Sequence, residues 1–168
     1  MGATLAGASP LAGATTIKAE EDVLTGVPIG QAEDLSDQGG GEVHLREDKV
    51  GAVGKAFSHW DNEGHWLSWQ LDVPAAGEYL LVVRYCSPNS VQREVQMDDL
   101  PARKQTYAGT GGFGSSAGDW AHGAVVGDDG QPLLWTLKPG RHTIKMTNVD
   151  GRGMNVDYVA LAPVRVAH

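Results

Sequence analysis

The chain has 168 residues, with 13 Lys and Arg against 21 Asp and Glu and a formal net charge of −8. Nucleic acids and anionic membrane surfaces are bound through clustered basic side chains, so this balance argues against both as partners. With 23 glycines, 8 prolines and 41% hydrophobic residues, the composition is too apolar for a disordered chain and typical of a turn-rich all-β domain. The single cysteine, Cys86, excludes an intramolecular disulfide and a multi-cysteine zinc site.

The first residues differ in composition from the rest of the chain. Residues 1–14 read MGATLAGASPLAGA and carry no basic region of the kind that opens a signal peptide. We interpret them as a flexible linker or an artificial chain boundary, followed by one domain over residues 15–168. Export of the parent protein would then depend on a signal farther upstream.

The predicted elements that follow are strands. Alternation is clearest in HWLSWQLDV, where Leu67, Trp69 and Leu71 share one face. The run EYLLVVRYC is apolar almost throughout, as in a strand covered on both faces. Residues 27–42 are predicted to form an acidic loop. The predicted strands cover residues 15–20, 43–46, 65–73, 78–86, 93–97, 120–126, 132–137, 141–149 and 155–162.

No segment carries an apolar stripe with the period of a helix, and the sequence has no internal repeat. Roughly eight or nine short strands separated by turns are typical of an antiparallel sandwich. The sequence therefore predicts a single all-β domain, an antiparallel β-sandwich of the jelly-roll type.

Three loops carry groups that suit sugar binding. HWDNEGHW (59–66) and TGGFGSSAGDW (110–120) hold large aromatics among glycines and polar residues. The last strand follows a glycine-rich turn, and alternation places Asn155 and Asp157 on one of its faces. Sugar rings present an apolar C–H face that packs on an aromatic ring, and their hydroxyls need donors and acceptors such as an amide. Gathered by the fold, these loops would form such a site.

The order of motifs resembles carbohydrate-binding modules of families 6 and 35. The resemblance covers about residues 15–163 and is carried by the following segments: IKAEED, WDNEGHWLSWQLDVPAAGEYLLVVRY, TGGFGSSAGDW and LKPGRHTIKMTNVDGRGMNVDYVAL. It implies a β-sandwich that does no chemistry and binds a polysaccharide or its chain ends. It also implies an accessory role beside a catalytic domain in a secreted polysaccharide-degrading enzyme, extracellular or periplasmic.

By motif position, the resemblance assigns Trp60 and Trp120 to the two faces of a sugar ring and Asn155 to its hydroxyls. Asp61 and Glu63, in the first of these loops, complete the expected carbohydrate-binding set. Two alternatives stay open at this point. Both indoles would serve equally well as core residues, and Asn155 would serve equally well to cap a turn.

The resemblance also implies a structural calcium ion, held by a Glu-x-Glu pair on the first strand and by the Asp of the final NxDY. Here Glu20 and Asp157 match, but Lys18 replaces the first Glu. Hard oxygen ligands suit Ca²⁺, whereas an ammonium group at a ligand position repels it. Either Glu21 or Asp22 compensates for the change, or Lys18, Glu20 and Asp157 form an ionic cluster instead.

Two other classes of function compete with sugar binding. Lyase or hydrolase chemistry would be possible if the fold paired a carboxylate from Asp61, Glu63, Asp119, Glu20 and Asp157 with His59, His65 or His122, but no HExxH or phosphate-loop motif is present. A structural β-sandwich that packs against a catalytic partner is the other alternative. The sugar itself is left open, because these histidines and Arg152 favour an acidic glycan whereas the carboxylates oppose one.

Overall fold

The computed structural model describes residues 16–18, 27–49, 52, 55–115 and 117–166. The predicted linker at residues 1–14 and the predicted calcium ligand Glu20 lie outside the described residues. Within the described ranges the regular elements are strands and two one-turn 3-10 helices, Ala32–Asp34 and Ala117–Asp119. In this part of the chain no helix is long and apolar enough to cross a bilayer.

Two antiparallel sheets form the sandwich, which confirms the predicted fold class. An eight-stranded sheet has the order β1-β10-β7-β13-β5-β4, with β11 paired to β7 and β2 paired to β13. A five-stranded sheet has the order β3-β6-β12-β8-β9. The strands are β1 (Thr16–Lys18), β2 (Ile29–Gln31), β3 (Asp37–Gly39), β4 (His44–Arg46), β5 (Ala56–Ser58), β6 (Trp66–Val73), β7 (Gly77–Cys86), β8 (Val91–Met97), β9 (Arg103–Tyr107), β10 (Ala121–Ala124), β11 (Trp135–Leu137), β12 (Gly140–Asn148) and β13 (Asn155–Val166).

The long strands lie close to their predicted ranges, as do the short strands β1, β4, β10 and β11, whereas four other short strands were not predicted. Strands β6 and β7 differ from the predicted ranges by one residue at the start, and β12 differs by one residue at each end. Residues 27–42, predicted as a loop, contain β2 and β3, and β5 and β9 were not predicted at all. Strands β2, β3 and β5 have three residues each, too few to show a period, so their pairing partners decide their conformation.

The core lies between the two sheets and follows the period of two. On β6, Leu67, Trp69 and Leu71 are at most 3% exposed, whereas Gln70 points to solvent. Burial of Trp69 also satisfies its polar atom, because its Nε1–H donates to the carbonyl of Gln31 at 3.0 Å. Burying apolar side chains of this size stabilises the fold by about 1.5–3 kcal/mol each.

A second buried cluster is polar and belongs to the other face of the eight-stranded sheet. The strand register places both His122 on β10 and Tyr158 on β13 opposite Arg84 on β7. Asp157 lies at an irregularity of β13 between Val156 and Tyr158, and its Oδ2 accepts a hydrogen bond from Arg84 Nη1 at 2.6 Å. The side chains of Arg84 and Asp157 are 4% and 0% exposed. This ion pair ties the two central strands together.

The buried histidine predicts a specific dependence of stability on pH. Burial lowers the pKa of His122 from 6.5 to about 4, and its Nε2 is hydrogen-bonded to the Tyr158 hydroxyl. As the pH falls below 6.5 the unfolded chain binds a proton that the folded chain rejects, so stability is lost from there down to the folded pKa. Urea unfolding of the wild type should therefore lose about 2–3 kcal/mol more between neutral and acid pH than unfolding of His122→Gln. Equal losses would contradict the assignment.

The Arg84–Asp157 pair predicts a large loss on removal of one charge. Asp157→Asn removes the charge of a carboxylate that is paired with a buried guanidinium, and variants that break a buried pair in this way lose about 3–5 kcal/mol of unfolding free energy. The control is Asp72→Asn, which breaks an exposed pair with Arg141. The side chain of Asp72 is 74% exposed and that of Arg141 is 64% exposed. Thermal and urea unfolding at neutral pH measure both variants. A loss from Asp157→Asn no larger than that of the control would show that the buried pair contributes nothing.

Candidate binding site

A cavity of about 220 Å³ opens where four segments of the chain converge. One segment leads out of β4, one out of β5, one is the glycine loop after β9, and one is the turn that leads into β13. The cavity is lined by Arg46, Lys49, Ser58, His59, Asp61, Phe113, Gly153 and Asn155. The three loops singled out in the sequence thus meet in one place.

Asn155 lies at this cavity, as the sequence predicts. It is the first residue of β13, stands opposite Cys86 of β7 and is 3% exposed. Its Nδ2 donates to the carbonyl of Phe113 at 2.9 Å. The amide therefore does not cap its own turn but joins the last strand to the glycine loop.

Phe113 is the aromatic residue that sequence reasoning missed. It is 42% exposed and lines the cavity. A Cβ atom built on Gly153 would lie 3.5 Å from the Phe113 ring and 3.7 Å from Asp61 Cβ, so these three residues adjoin one another. The sequence GGFG indicates this exposure, because an aromatic residue between glycines has no neighbouring side chains in the chain that would cover it.

The expectation that Trp60 presents an open face to a sugar is wrong in this structure. Trp60 is 0% exposed, its Nε1–H donates to the carbonyl of His65 at 3.0 Å, and the Arg93 guanidinium lies 4.1 Å from its ring centroid. Phe57 meets the same ring edge-on with centroids 5.8 Å apart. Each side of the indole is thus occupied by the protein itself.

Trp120 is likewise a core residue and not an exposed platform. It is 1% exposed and clusters with Ala56 and Cys86. A Cβ atom on Gly114 would lie 3.2 Å from its Cζ2, so the glycine loop rests directly on the indole. Both tryptophans follow the core alternative because loops fold over the end of the sandwich, and large apolar rings at loop edges fill the space beneath them.

The cavity also holds charged and polar groups. Lys49 and Asp61 line it, and so does Arg46, whose guanidinium is bonded to Asp48 at 2.7 and 2.9 Å. His59 has a φ of 69°, a conformation that costs a non-glycine residue energy. Its ring packs against that of His44 with centroids 4.2 Å apart and an interplanar angle of 31°. Its Nδ1 is also hydrogen-bonded to the Ser58 hydroxyl at 2.8 Å, so His59 is joined to another residue of the cavity wall.

The remaining predicted residues lie elsewhere. Glu63 is exposed in the turn before β6 and does not line the cavity. His65 is buried, with its Nε2 3.0 Å from Gln38 Oε1, and burial lowers its pKa. His122 belongs to the buried cluster on the outer face of the eight-stranded sheet. Neither histidine is available to act on a molecule bound in the cavity.

The described residues do not by themselves form the implied calcium site. Asp157 is buried and paired with Arg84, and across the described ranges no three His, Cys, Asp or Glu side chains come together as metal ligands. The negative charge of Asp157 is thus already balanced by Arg84. The ligand role of Glu20 stays a prediction, since Glu20 lies outside the described residues.

No family model matches the chain, and no curated protein matches it closely enough to be compared. Solved structures do match. A family 35 carbohydrate-binding module from Clostridium thermocellum is similar over 79% of this chain and 95% of its own, with 21% identity and a TM-score of 0.60. The module CBM6cm-2 from Cellvibrio mixtus lichenase 5A, solved with cellotriose, is similar over 82% and 98%, with 23% identity and a TM-score of 0.57.

A third similarity is to part of an enzyme. The GH26-CBM35 β-(1,4)-mannanase from Podospora anserina matches over 86% of this chain but only 29% of its own, with 19% identity and a TM-score of 0.62. The fold thus occurs both as a separate module and as one portion of a larger enzyme. The chain has the β-sandwich fold of the family 6 and family 35 carbohydrate-binding modules.

Proposed function

We propose that the chain is a non-catalytic carbohydrate-binding module that takes a sugar residue of a polysaccharide, within the chain or at its end, into the cavity beside Phe113. The observation that carries the proposal is an exposed aromatic ring at a cavity that polar side chains also line, in a fold shared with sugar-binding modules. Phe113 offers the apolar face of a sugar ring a surface, as Trp60 and Trp120 were expected to do.

The polar lining supports hydroxyl recognition. Asp61 accepts hydrogen bonds, Lys49 donates them, and the amide of Asn155 lies at the same wall. A disaccharide of about 20 heavy atoms at roughly 0.3 kcal/mol per atom would bind with a Kd of tens of micromolar. The affinity expected of such a shallow site is therefore modest.

The lining also supports binding without chemistry. Hydrolysis of a glycosidic bond generally uses two carboxyl groups that flank it. Among the described residues that line the cavity, Asp61 is the one carboxylate, whereas Glu63 and Asp119 are not part of this lining. This composition favours a binding site over a hydrolase centre.

The natural setting of such a module is beside a catalytic domain. The mannanase from Podospora anserina, in which this fold accounts for 29% of the chain, supports that arrangement. We infer that the parent protein is a secreted polysaccharide-degrading enzyme, extracellular or periplasmic, whose catalytic domain is the neighbour of this chain.

The binding prediction compares three variants in gels that contain β-glucan, xylan, galactomannan or pectin. Phe113→Ala removes the platform, and Gly153→Val fills the space between Phe113 and Asp61, so both should reduce the retardation well below that of the wild type. The loss of the ring corresponds to about 1–3 kcal/mol of binding free energy. Leu100→Ala removes an equally exposed apolar side chain away from the cavity and should bind normally.

Trp120→Ala completes the comparison. Because Trp120 is buried, its replacement should lower the stability of the fold and not act on the cavity surface directly. The variant should lose about 3–5 kcal/mol of unfolding free energy, as expected for a buried aromatic ring. Urea unfolding measures this loss independently of any glycan. Normal binding by Phe113→Ala, or a wild type that no polysaccharide retards, would overturn the proposed site.

Calcium is tested by chelation. Because Arg84 already compensates Asp157, we expect an excess of EDTA to leave the melting temperature unchanged. A ligand that binds only the folded state raises the melting temperature, and its removal lowers it. A fall on chelation that is reversed by added Ca²⁺, and that disappears in Glu20→Gln, would instead establish the metal site at Glu20 and Asp157.

A further inference from the structure

We propose that Asp119 is a positioning residue, whose carboxylate holds the glycine loop (residues 110–115) so that Phe113 stays fixed at the cavity. The inference rests on the proposed function for its purpose, because the positioned ring is the sugar platform. The role of Asp119 in the loop does not depend on a ligand, because its carboxylate alone would determine the conformation of the loop that carries the ring.

Phe113 cannot be positioned by core packing. Its side chain is 42% exposed, so few buried neighbours restrain it. The place of the ring is therefore determined by the backbone that carries it, and that backbone is irregular and lies outside any strand. The hydrogen bonds of the loop decide whether the ring is fixed before a ligand arrives.

The loop is anchored on the near side of Phe113 by the rest of the sandwich. The amides of Thr110 and Gly111 donate to the carbonyl of Ser87 at 2.7 and 3.2 Å. The carbonyl of Phe113 accepts the Asn155 Nδ2 hydrogen bond. These contacts hold the loop from its first residue as far as Phe113.

Asp119 supplies the anchor on the far side. Its Oδ2 accepts from the amides of both Gly114 and Ser115, each at 3.1 Å. Hydrogen bonds to an ionised carboxylate are roughly twice as strong as those between neutral groups. Phe113 is thus bracketed, with its own carbonyl bonded to β13 and the two following amides bonded to one carboxylate.

The glycines of the loop fit this arrangement. A Cβ atom on Gly112 would lie 2.5 Å from Asp119 Oδ2, so only glycine allows the carboxylate to come this close. Gly114 has a φ of 93° and rests on Trp120, the residue that follows Asp119. The buried indole therefore fixes the segment from which the carboxylate reaches back into the loop.

The first experiment needs no ligand. Amide exchange of the free protein is followed by NMR in the wild type, Asp119→Ala and Asp119→Asn. In Asp119→Ala the amides of Gly114 and Ser115 should exchange about tenfold faster or more, because their acceptor is gone. The amides of Thr110 and Gly111, bonded to Ser87, should stay unchanged. Asp119→Asn keeps an acceptor oxygen and should restore most of the protection.

The matched control is Asp129→Ala. Asp129 also accepts a loop amide, that of Gln131 at 3.0 Å, but it does not line the cavity. The Asp129→Ala variant should leave the exchange rates of the Gly114 and Ser115 amides unaltered. Gly112→Ala tests the same contact without changing Asp119. The added methyl group would displace the Asp119 carboxylate, so this variant should reproduce the exchange pattern of Asp119→Ala.

The second experiment is a double-mutant cycle on the polysaccharide that retards the wild type most strongly. Asp119→Ala should weaken binding about fivefold or more, and Phe113→Ala about tenfold or more. If Asp119 acts through Phe113, the double variant should bind within about twofold of Phe113→Ala alone. Multiplicative losses would show that Asp119 acts on the ligand by another route and would overturn the positioning role.

The two experiments separate the two proposals. Unchanged exchange of Gly114 and Ser115 in Asp119→Ala overturns the positioning role whether or not a glycan binds. Faster exchange in a protein that no polysaccharide retards supports the loop assignment and overturns the proposed function alone. A general rise in exchange over all strands would show that Asp119 stabilises the whole fold, which also overturns the positioning role.

Discussion

The buried guanidinium of Arg93 holds together the end of the sandwich that bears the cavity. Its side chain is 0% exposed and its Nη1 lies 3.3 Å from Asp150 Oδ1. Nη2 donates to the carbonyls of Trp60 and Arg152 at 3.1 and 2.7 Å. Burial lowers the pKa of Arg93 to about 10, which still leaves the group charged at neutral pH. The loops that carry Asp61 and Gly153 to the cavity are thus joined through one cation.

This constraint explains why Trp60 is not a sugar platform. The carbonyl of Trp60 is needed by Arg93, and its ring lies 4.1 Å from the same guanidinium. A desolvated cation gains from the aromatic face and from each carbonyl that replaces water. Trp60 therefore helps to bury the charge of Arg93. The exposed aromatic surface at the cavity comes from another loop, the one that carries Phe113.

The sequence predicted those parts of the molecule in which a local pattern decides the outcome. Strands such as β6 and β12 alternate over eight or nine residues, and the structure has them. The family resemblance placed Asn155 and Asp61 in one expected site, and both residues line the cavity. The burial of Trp120 was beyond a local pattern, since it depends on the glycine loop that folds over it. Phe113 lies in an irregular loop between glycines, where no periodic pattern indicates whether a ring is buried or exposed.

The division between buried and exposed groups has a consequence for specificity. Arg93 and Trp60 hold the cavity from below, where any change leaves an unpaired charge or an empty space. Phe113, Lys49 and Asp61 line the cavity from loops, so replacing them disturbs few core contacts. In the proposed binding site, the sugar preference can therefore change through these loop side chains while the scaffold stays intact. The backbone groups of Phe113, Gly114 and Ser115 hold this part of the loop, which leaves the Phe113 ring itself open to replacement.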